Sequence, residues 1–171
     1  DVIDSDGAEG FPLAEIEARM ATRGKPLVFG EEQIEDLLNL SYGRKRTFAT
    51  LALIFPYVHT RSIHHVDHVF PKSLLYKKSL KALGLSDSEV EELQAMRDQF
   101  PNLQLLEGPE NVGKSGTDPH SWAADTYPDP VQLQSYVDRN ALPPRPSSAQ
   151  EFRDFFGQRR QRLAELLKQT L

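Results

Sequence analysis

The sequence of 171 residues contains no cysteine. This absence excludes disulfide bonds and cysteine-ligated zinc sites, and it is compatible with the reducing cytoplasm. The sequence also lacks any apolar run long enough to span a membrane and any signal-peptide pattern, so we expect a cytoplasmic protein with no membrane partner. Hydrophobic residues make up 39% of the chain, which predicts one compact domain with a hydrophobic core.

The sequence also has fewer basic than acidic residues. The chain has 20 Lys and Arg residues against 25 Asp and Glu residues, a formal net charge of −5. Affinity for duplex DNA comes largely from Lys and Arg side chains that replace counterions, so an acidic chain is poorly suited to bind DNA unaided. If the chain acts on DNA, we expect another domain to bring the DNA to it. The start at Asp1 instead of a methionine agrees with a fragment of a longer protein.

Periodicity and turn residues predict the first elements. Residues 1–10, rich in Asp, Gly and Glu, are typical of a solvated linker, and residues 12–24 predict a short helix. Apolar spacing predicts a second helix over residues 31–40. Residues 47–55 are apolar nearly all round, so they form either a buried helix or a strand, and we favour the helix.

Capping-box patterns predict two further helices, one beginning at Ser86 and one at Ser148. Phenylalanine and leucine residues define the buried side of the second of these helices. Its basic residues either guide DNA or simply face solvent, and we favour solvent. These residues are Arg159, Arg160, Arg162 and Lys168.

Two stretches carry polar residues suited to phosphodiester hydrolysis. A β-branched run that ends at Pro71 predicts one strand, and residues 102–106 predict another. A turn at residues 108–109 follows the second strand and leads into a helix. The polar residues in and after these strands are Asp67, His68, Asn102, Asn111 and Lys114.

Hydrolysis of a phosphodiester needs a base for the attacking water and positive charge near the phosphate. His68 can accept a proton near neutrality, because an unperturbed imidazole has a pKa of about 6.5. Asp67 and the amide oxygen of Asn111 are hard donors, which favour Mg²⁺ or Mn²⁺ with open coordination positions over a closed zinc site. Adjacent side chains of a regular strand point to opposite faces, so either Asp67 and His68 have separate roles or a local turn reunites them.

Basic residues also cluster at Arg44–Arg46 and after the first strand. Each group can contact phosphate or simply be solvated. We favour solvation for the triplet and weigh the two interpretations evenly for the second group. The lysines of that group are Lys72, Lys77, Lys78 and Lys81.

The order Asp-His, Asn, Asn-x-x-Lys at positions 67–68, 102 and 111–114 resembles the HNH nuclease motif. Residues 48–56, 68–73 and 102–111 are similar to the C-terminal nuclease half of GmrSD-like and SspE-like bacterial defence proteins. The similarity extends from about Glu31 to the C-terminus. The motif's asparagines are separated from the Asp-His pair by a long charged helix, so closure of the site depends on how this insert folds.

The resemblance implies a mostly helical α+β fold with a ββα-metal centre embedded among helices. It implies that Asp67 and Asn111 are metal ligands, His68 the general base, Asn102 a residue that ties the strands together, and Lys114 a neighbour of the phosphate. The expected activity is Mg²⁺- or Mn²⁺-dependent DNA cleavage or nicking in phage defence, with an N-terminal sensor or NTPase-type domain as partner. We expect a linker and helices over 1–60, the nuclease core over 61–117 and a helical cap over 118–171.

Other interpretations stay open. Residues 108–115 satisfy the P-loop pattern, which would imply nucleotide hydrolysis, although Gly116 and Pro119 follow too soon for the helix that such a loop feeds. An HNH-like module that binds nucleic acid or a partner without cleaving is another alternative. His65 shares a strand face with Asp67 and is an auxiliary ligand, a phosphate contact or only a structural neighbour.

Overall fold

The structure is a computed structural model that describes residues 18–20, 22–24, 30–55, 57–58 and 63–171, with only the backbone at Pro109 and Val112. The predicted linker lies outside the described residues, as does most of the predicted helix that follows it. Within the described residues the fold is α+β and mostly helical. None of the described helices combines the length and the apolarity that crossing a bilayer requires.

The α-helices of the described residues pack around a small sheet. They are α1 (Glu31–Leu38), α2 (Lys45–Ile54), α3 (Lys77–Ala82), α4 (Asp87–Arg97), α5 (Gly108–Lys114), α6 (Pro119–Thr126), α7 (Pro130–Arg139) and α8 (Phe152–Thr170). Short 3₁₀ helices lie at Lys72–Leu75, Phe100–Asn102 and Ala149–Glu151.

Strands β1 (His64–His68) and β2 (Leu103–Glu107) pair antiparallel, with Asp67 opposite Gln104 and His68 opposite Leu103. Helix α5 starts directly after β2 and contacts both strands. The insert between the strands contains α3 and α4. The two strands and α5 therefore form a strand–strand–helix unit, and the insert connects the end of β1 to the start of β2.

The sheet lies between two hydrophobic clusters. Leu103 and Leu105 belong to one cluster and Leu106 to the other, as expected for alternate residues of a strand. Helix α8 contributes Phe152 to the cluster of Leu106 and Leu163 to the cluster of Leu103. Both faces of β2 are therefore covered by hydrophobic side chains.

Three helix predictions are confirmed. The helix predicted over residues 31–40 is α1, which ends at Leu38, and the apolar stretch 47–55 lies in helix α2 up to Ile54, with Phe55 as the C-cap. The box at Ser86 is complete, since its Oγ accepts from the Glu89 N–H at 3.3 Å and a Glu89 carboxylate oxygen accepts from the Ser86 N–H at 2.8 Å. These are local features, so short-range rules were sufficient to find them.

The capping box predicted at Ser148 is wrong. The Glu151 N–H donates to the backbone carbonyl of Ser148, which forms a 3₁₀ turn, so α8 begins only at Phe152. The Glu151 carboxylate instead accepts from the N–H of Ser147 at 2.8 Å. The backbone acceptor has taken the N–H that the Ser148 hydroxyl was expected to bind.

The expectation that Arg159 faces solvent is also wrong. Arg159 is 0% exposed, and its guanidinium donates to the carbonyls of Pro101 at 2.9 Å and Asn140 at 3.3 Å. Burial lowers its pKa to about 10. Arg159 lies four residues from both Phe155 and Leu163, so the helical period itself puts it on the buried face.

Candidate active site

Asp67 is held by two neighbours that the fold brings to it. Lys114 at the end of α5 places its Nζ 2.5 Å from Asp67 Oδ2, and Gln104, opposite Asp67 in the sheet, donates to the same oxygen at 3.1 Å. Gln104 in turn accepts from the Tyr136 hydroxyl at 2.9 Å. Lys114 also donates to the His68 carbonyl. Four elements thus fix the position of this carboxylate.

Lys114 is 1% exposed, and burial lowers its pKa. The Asp67 carboxylate acts in the opposite direction and favours the charged ammonium. The side chain expected near a phosphate therefore pairs with Asp67 instead of reaching into solvent. The side chain of Asp67 remains 18% exposed, so solvent reaches one side of the pair.

His68 lies at the end of β1 with only 6% of its surface exposed. Strand β1 is regular through His68, so Asp67 and His68 leave the strand on opposite faces. The imidazole Nε2 is 2.8 Å from Asp98 Oδ1, and the ring of Tyr42 packs over the imidazole with 4.7 Å between ring centroids. Burial lowers the pKa of His68 below its ordinary value, although Asp98 opposes this effect, so burial favours the neutral imidazole.

Asp98 is a candidate site residue that sequence reasoning missed. It caps the C-terminus of α4 and accepts from Arg97 at 2.7 Å, while Lys72 lies 3.3 Å away. Partial burial raises the pKa of Asp98, but the hydrogen bonds from Arg97, His68 and Lys72 together lower it to about 2. An aspartate at a helix C-terminus faces the negative end of the helix dipole. This unfavourable position in the helix is the sequence feature that could have indicated a positively charged or hydrogen-bonding partner for Asp98 elsewhere in the chain.

Asn102 ties the two strand ends together. It is 0% exposed, its Oδ1 accepts from the Phe70 N–H at 2.8 Å, and its Nδ2 donates to the carbonyls of Phe70 at 3.1 Å and Arg97 at 2.8 Å. Its own carbonyl accepts from the Val69 N–H at 2.7 Å. The same residue therefore holds the end of β1 and the Arg97 turn that presents Asp98 to His68.

Asn111 lies apart from these contacts, half-buried on α5. It lines an open depression of about 320 Å³ together with His65, Tyr42, Arg44 and Lys45. His65 is exposed and lies on the same face of β1 as Asp67. The candidate site therefore has an inner part, formed by Asp67 and His68 on opposite faces of β1, and an outer part at this depression.

The donor atoms suit a hard divalent cation. Asp67 uses Oδ2 for both of its hydrogen bonds, so Oδ1 accepts none from the described residues. A carboxylate oxygen and the amide oxygen of Asn111 are the ligand types that Mg²⁺ and Mn²⁺ prefer. Within the described part of the chain, no group of three or more His, Asp or Glu side chains is arranged to hold a metal ion. A cation here would have few protein ligands.

A family model described as the C-terminal domain of GmrSD restriction endonucleases matches residues 31–156. The chain belongs to this family. The match includes Asp67, His68, Asn102, Asn111 and Lys114. A search of the curated proteins found no match.

The predicted similarity to the C-terminal half of GmrSD-like proteins is therefore confirmed, and this GmrSD C-terminal domain belongs to a family of restriction endonucleases. Its residues 108–114 form helix α5. A P-loop needs a loop whose backbone N–H groups surround a phosphate. In the GmrSD domain those residues form a helix, and Lys114 at its end contacts Asp67. The loop geometry that the nucleotide-hydrolysis alternative requires is therefore not found at these residues.

Proposed function

We propose that this domain is an HNH-type DNA endonuclease or nickase with a ββα-metal centre, and that it is the effector of a bacterial phage-defence protein. The observation that carries the proposal is the contact of 2.8 Å between His68 Nε2 and Asp98 Oδ1 at the edge of the strand–strand–helix unit. Burial also lowers the pKa of His68, which favours the neutral imidazole. A nuclease of this class needs one positioned base, and a neutral imidazole near pH 7 meets this need.

The Asp98 contact determines which nitrogen acts. An ionised carboxylate can only accept, so the His68 Nε2 carries the proton and the lone pair resides on Nδ1. No described residue hydrogen-bonds to Nδ1. In our mechanism Nδ1 takes a proton from water and the water oxygen attacks the phosphorus. The bond to the 3′ oxygen then breaks, and this oxygen leaves with the bonding electrons and takes a proton from solvent. Asp98 orients the ring and stabilises the imidazolium that forms, as the carboxylate does in other His–carboxylate pairs.

The remaining roles follow from chemistry and contacts. Asp67 and Asn111 would hold a Mg²⁺ or Mn²⁺ ion, which supplies charge neutralisation at the phosphate and at the departing 3′ oxygen. Asn102 maintains the spacing of the strand ends through its three side-chain hydrogen bonds. Lys114 orients Asp67 through the contact between its ammonium and the Asp67 carboxylate. In the full-length protein, an N-terminal sensor or NTPase-type domain would bring the DNA.

A plasmid-nicking assay tests the proposal. The wild type should convert supercoiled plasmid to open-circle or linear DNA with Mg²⁺ or Mn²⁺ and stop when EDTA is added. H68A should lose this activity and keep its circular dichroism spectrum. H120A is the matched control, because His120 is exposed. Equal activity of H68A and wild type would refute the assignment of the base.

A result without cleavage is also informative. Retained DNA binding with no cation-dependent nicking in any variant would favour the non-catalytic HNH-like module. Turnover of ATP or GTP that depends on Lys114 and survives H68A would restore the P-loop interpretation.

A further inference from the structure

Helix α2 begins with three consecutive cations. Arg44 is its N-cap and Lys45 and Arg46 fill its first turn, without a side-chain cap or an acidic residue there. All three side chains are exposed. None of them forms an ion pair with another described residue.

These positive charges destabilise the start of helix α2. The N-terminus of a helix carries a partial positive charge, so cations there repel both the helix end and one another. The lysines and arginines around the inner site each contact a carboxylate, since Lys72 and Arg97 share Asp98 and Lys114 pairs with Asp67. The start of α2 therefore presents positive charge that the described residues leave uncompensated.

The cations lie beside the proposed reaction site. Arg44 and Lys45 line the depression that also contains His65 and Asn111, and no described aspartate or glutamate lines it. Tyr42 lines the same depression and packs over the His68 imidazole. The depression thus adjoins both the proposed base and a proposed metal ligand, and everything charged that faces it is basic.

We propose that this depression is a binding site for the phosphodiester backbone of DNA, which holds phosphates next to the one that is cut. The proposal rests on the proposed nuclease function and adds the position of the substrate. The exposed cations and the uncapped helix start both favour an anion with several negative charges in a row. A DNA backbone supplies these charges at regular spacing.

Fluorescence anisotropy with a labelled DNA duplex tests the site. It is measured on the whole chain in EDTA, so that no cleavage occurs, over a series of NaCl concentrations. The variant R44Q/K45Q removes the two cations that line the depression. Its matched control is K77Q/K78Q, since Lys77 and Lys78 are also exposed and also start a helix, α3. The swap R44K/K45R keeps the charge.

We expect R44Q/K45Q to bind at least about tenfold more weakly at low salt and to reduce the slope of log K against log [NaCl] by about 2, one for each lost phosphate contact. K77Q/K78Q should change affinity by less than about threefold, and R44K/K45R should match the wild type. The melting temperature of R44Q/K45Q should stay level or rise, because cations leave a helix N-terminus. Loss of binding would then not reflect unfolding.

Two results would overturn the site: equal effects of R44Q/K45Q and K77Q/K78Q, or no detectable binding by the wild type. Failure of the nuclease proposal looks different. A wild type that binds through Arg44 and Lys45 but never nicks DNA refutes the nuclease and keeps the site. A wild type that nicks DNA while R44Q/K45Q binds normally refutes the site alone.

Discussion

Replacing Asn102 by alanine should destabilise the domain strongly. The substitution removes three hydrogen bonds of a side chain that is 0% exposed, two to Phe70 and one to the Arg97 carbonyl. A net contribution of about 1 kcal/mol for each bond gives a loss of about 3 kcal/mol, because the backbone groups stay buried without partners. For a domain of this size, that corresponds to a fall in melting temperature of about 6–12 °C.

Thermal and urea unfolding followed by circular dichroism would measure the loss. N39A is the control, since Asn39 is exposed and its side chain bonds only to the half-buried Arg160, and we expect a change below about 0.5 kcal/mol. N102D should be at least as harmful as N102A at pH 7, because a carboxylate oxygen would face the carbonyls of Phe70 and Arg97. A loss below about 1 kcal/mol for N102A would refute the view that Asn102 is the tie between the strand ends.

Four further predictions follow from the described contacts. D98N should shift the His68 tautomer, seen in the ¹⁵N spectrum of labelled imidazole, and lower kcat without weakening DNA binding; an unchanged tautomer would contradict the role of Asp98. D67N and N111A should each weaken Mn²⁺ binding, measured by electron paramagnetic resonance, by at least about tenfold, because even mutation of a residue that only hydrogen-bonds to a metal ligand has an effect of this size. A variant with unchanged Mn²⁺ affinity would show that the substituted residue is not a ligand. The free energy of unfolding should fall on acidification. The folded state binds a proton at His68 less readily than the unfolded state, so stability falls as the pH drops below the ordinary His68 pKa of 6.5. The stabilisation from Asp98 is complete above its ordinary pKa of 3.8 and is lost as the pH falls toward about 2. A pH-independent stability between pH 7 and 3 would contradict this. R159Q should cost about 3 kcal/mol in urea unfolding, because a buried guanidinium loses its bonds to two carbonyls, and a cost near zero would show that water replaces them.

Local rules predicted much of the secondary structure. Helix α1 and the Ser86 box depend on residues within one or two turns, and the two strands were located to within a residue or two. Arg159 was within reach of the same rules, because its four-residue spacing from Phe155 marks the buried face. Its positive charge favoured the solvent interpretation, although in the fold its two terminal nitrogens donate to backbone carbonyls.

The contacts of the site were harder to predict because they join residues far apart in the chain. Asp67 and His68 lie in one strand, as the sequence predicts, but the motif could not tell that the lysine 47 positions away would reach the Asp67 carboxylate. That contact needs β2 to end where α5 begins and α5 to be long enough to bring Lys114 back along the sheet. Loop and helix lengths fix this geometry, and no local pattern encodes it.

The insert between the strands explains how the site closes. In the sequence, this charged insert separates the two halves of the motif. In the fold, its helix α4 ends at Asp98, whose carboxylate contacts His68, a residue 30 positions earlier in the chain. Asn102 binds the Arg97 carbonyl one residue earlier, so the residue that joins the strands also fixes the carboxylate that orients the imidazole. Shortening α4 by a residue would rotate Asp98 by about 100° around the helix. The insert must therefore keep its length for His68 to keep its partner, even where its exposed residues are free to change.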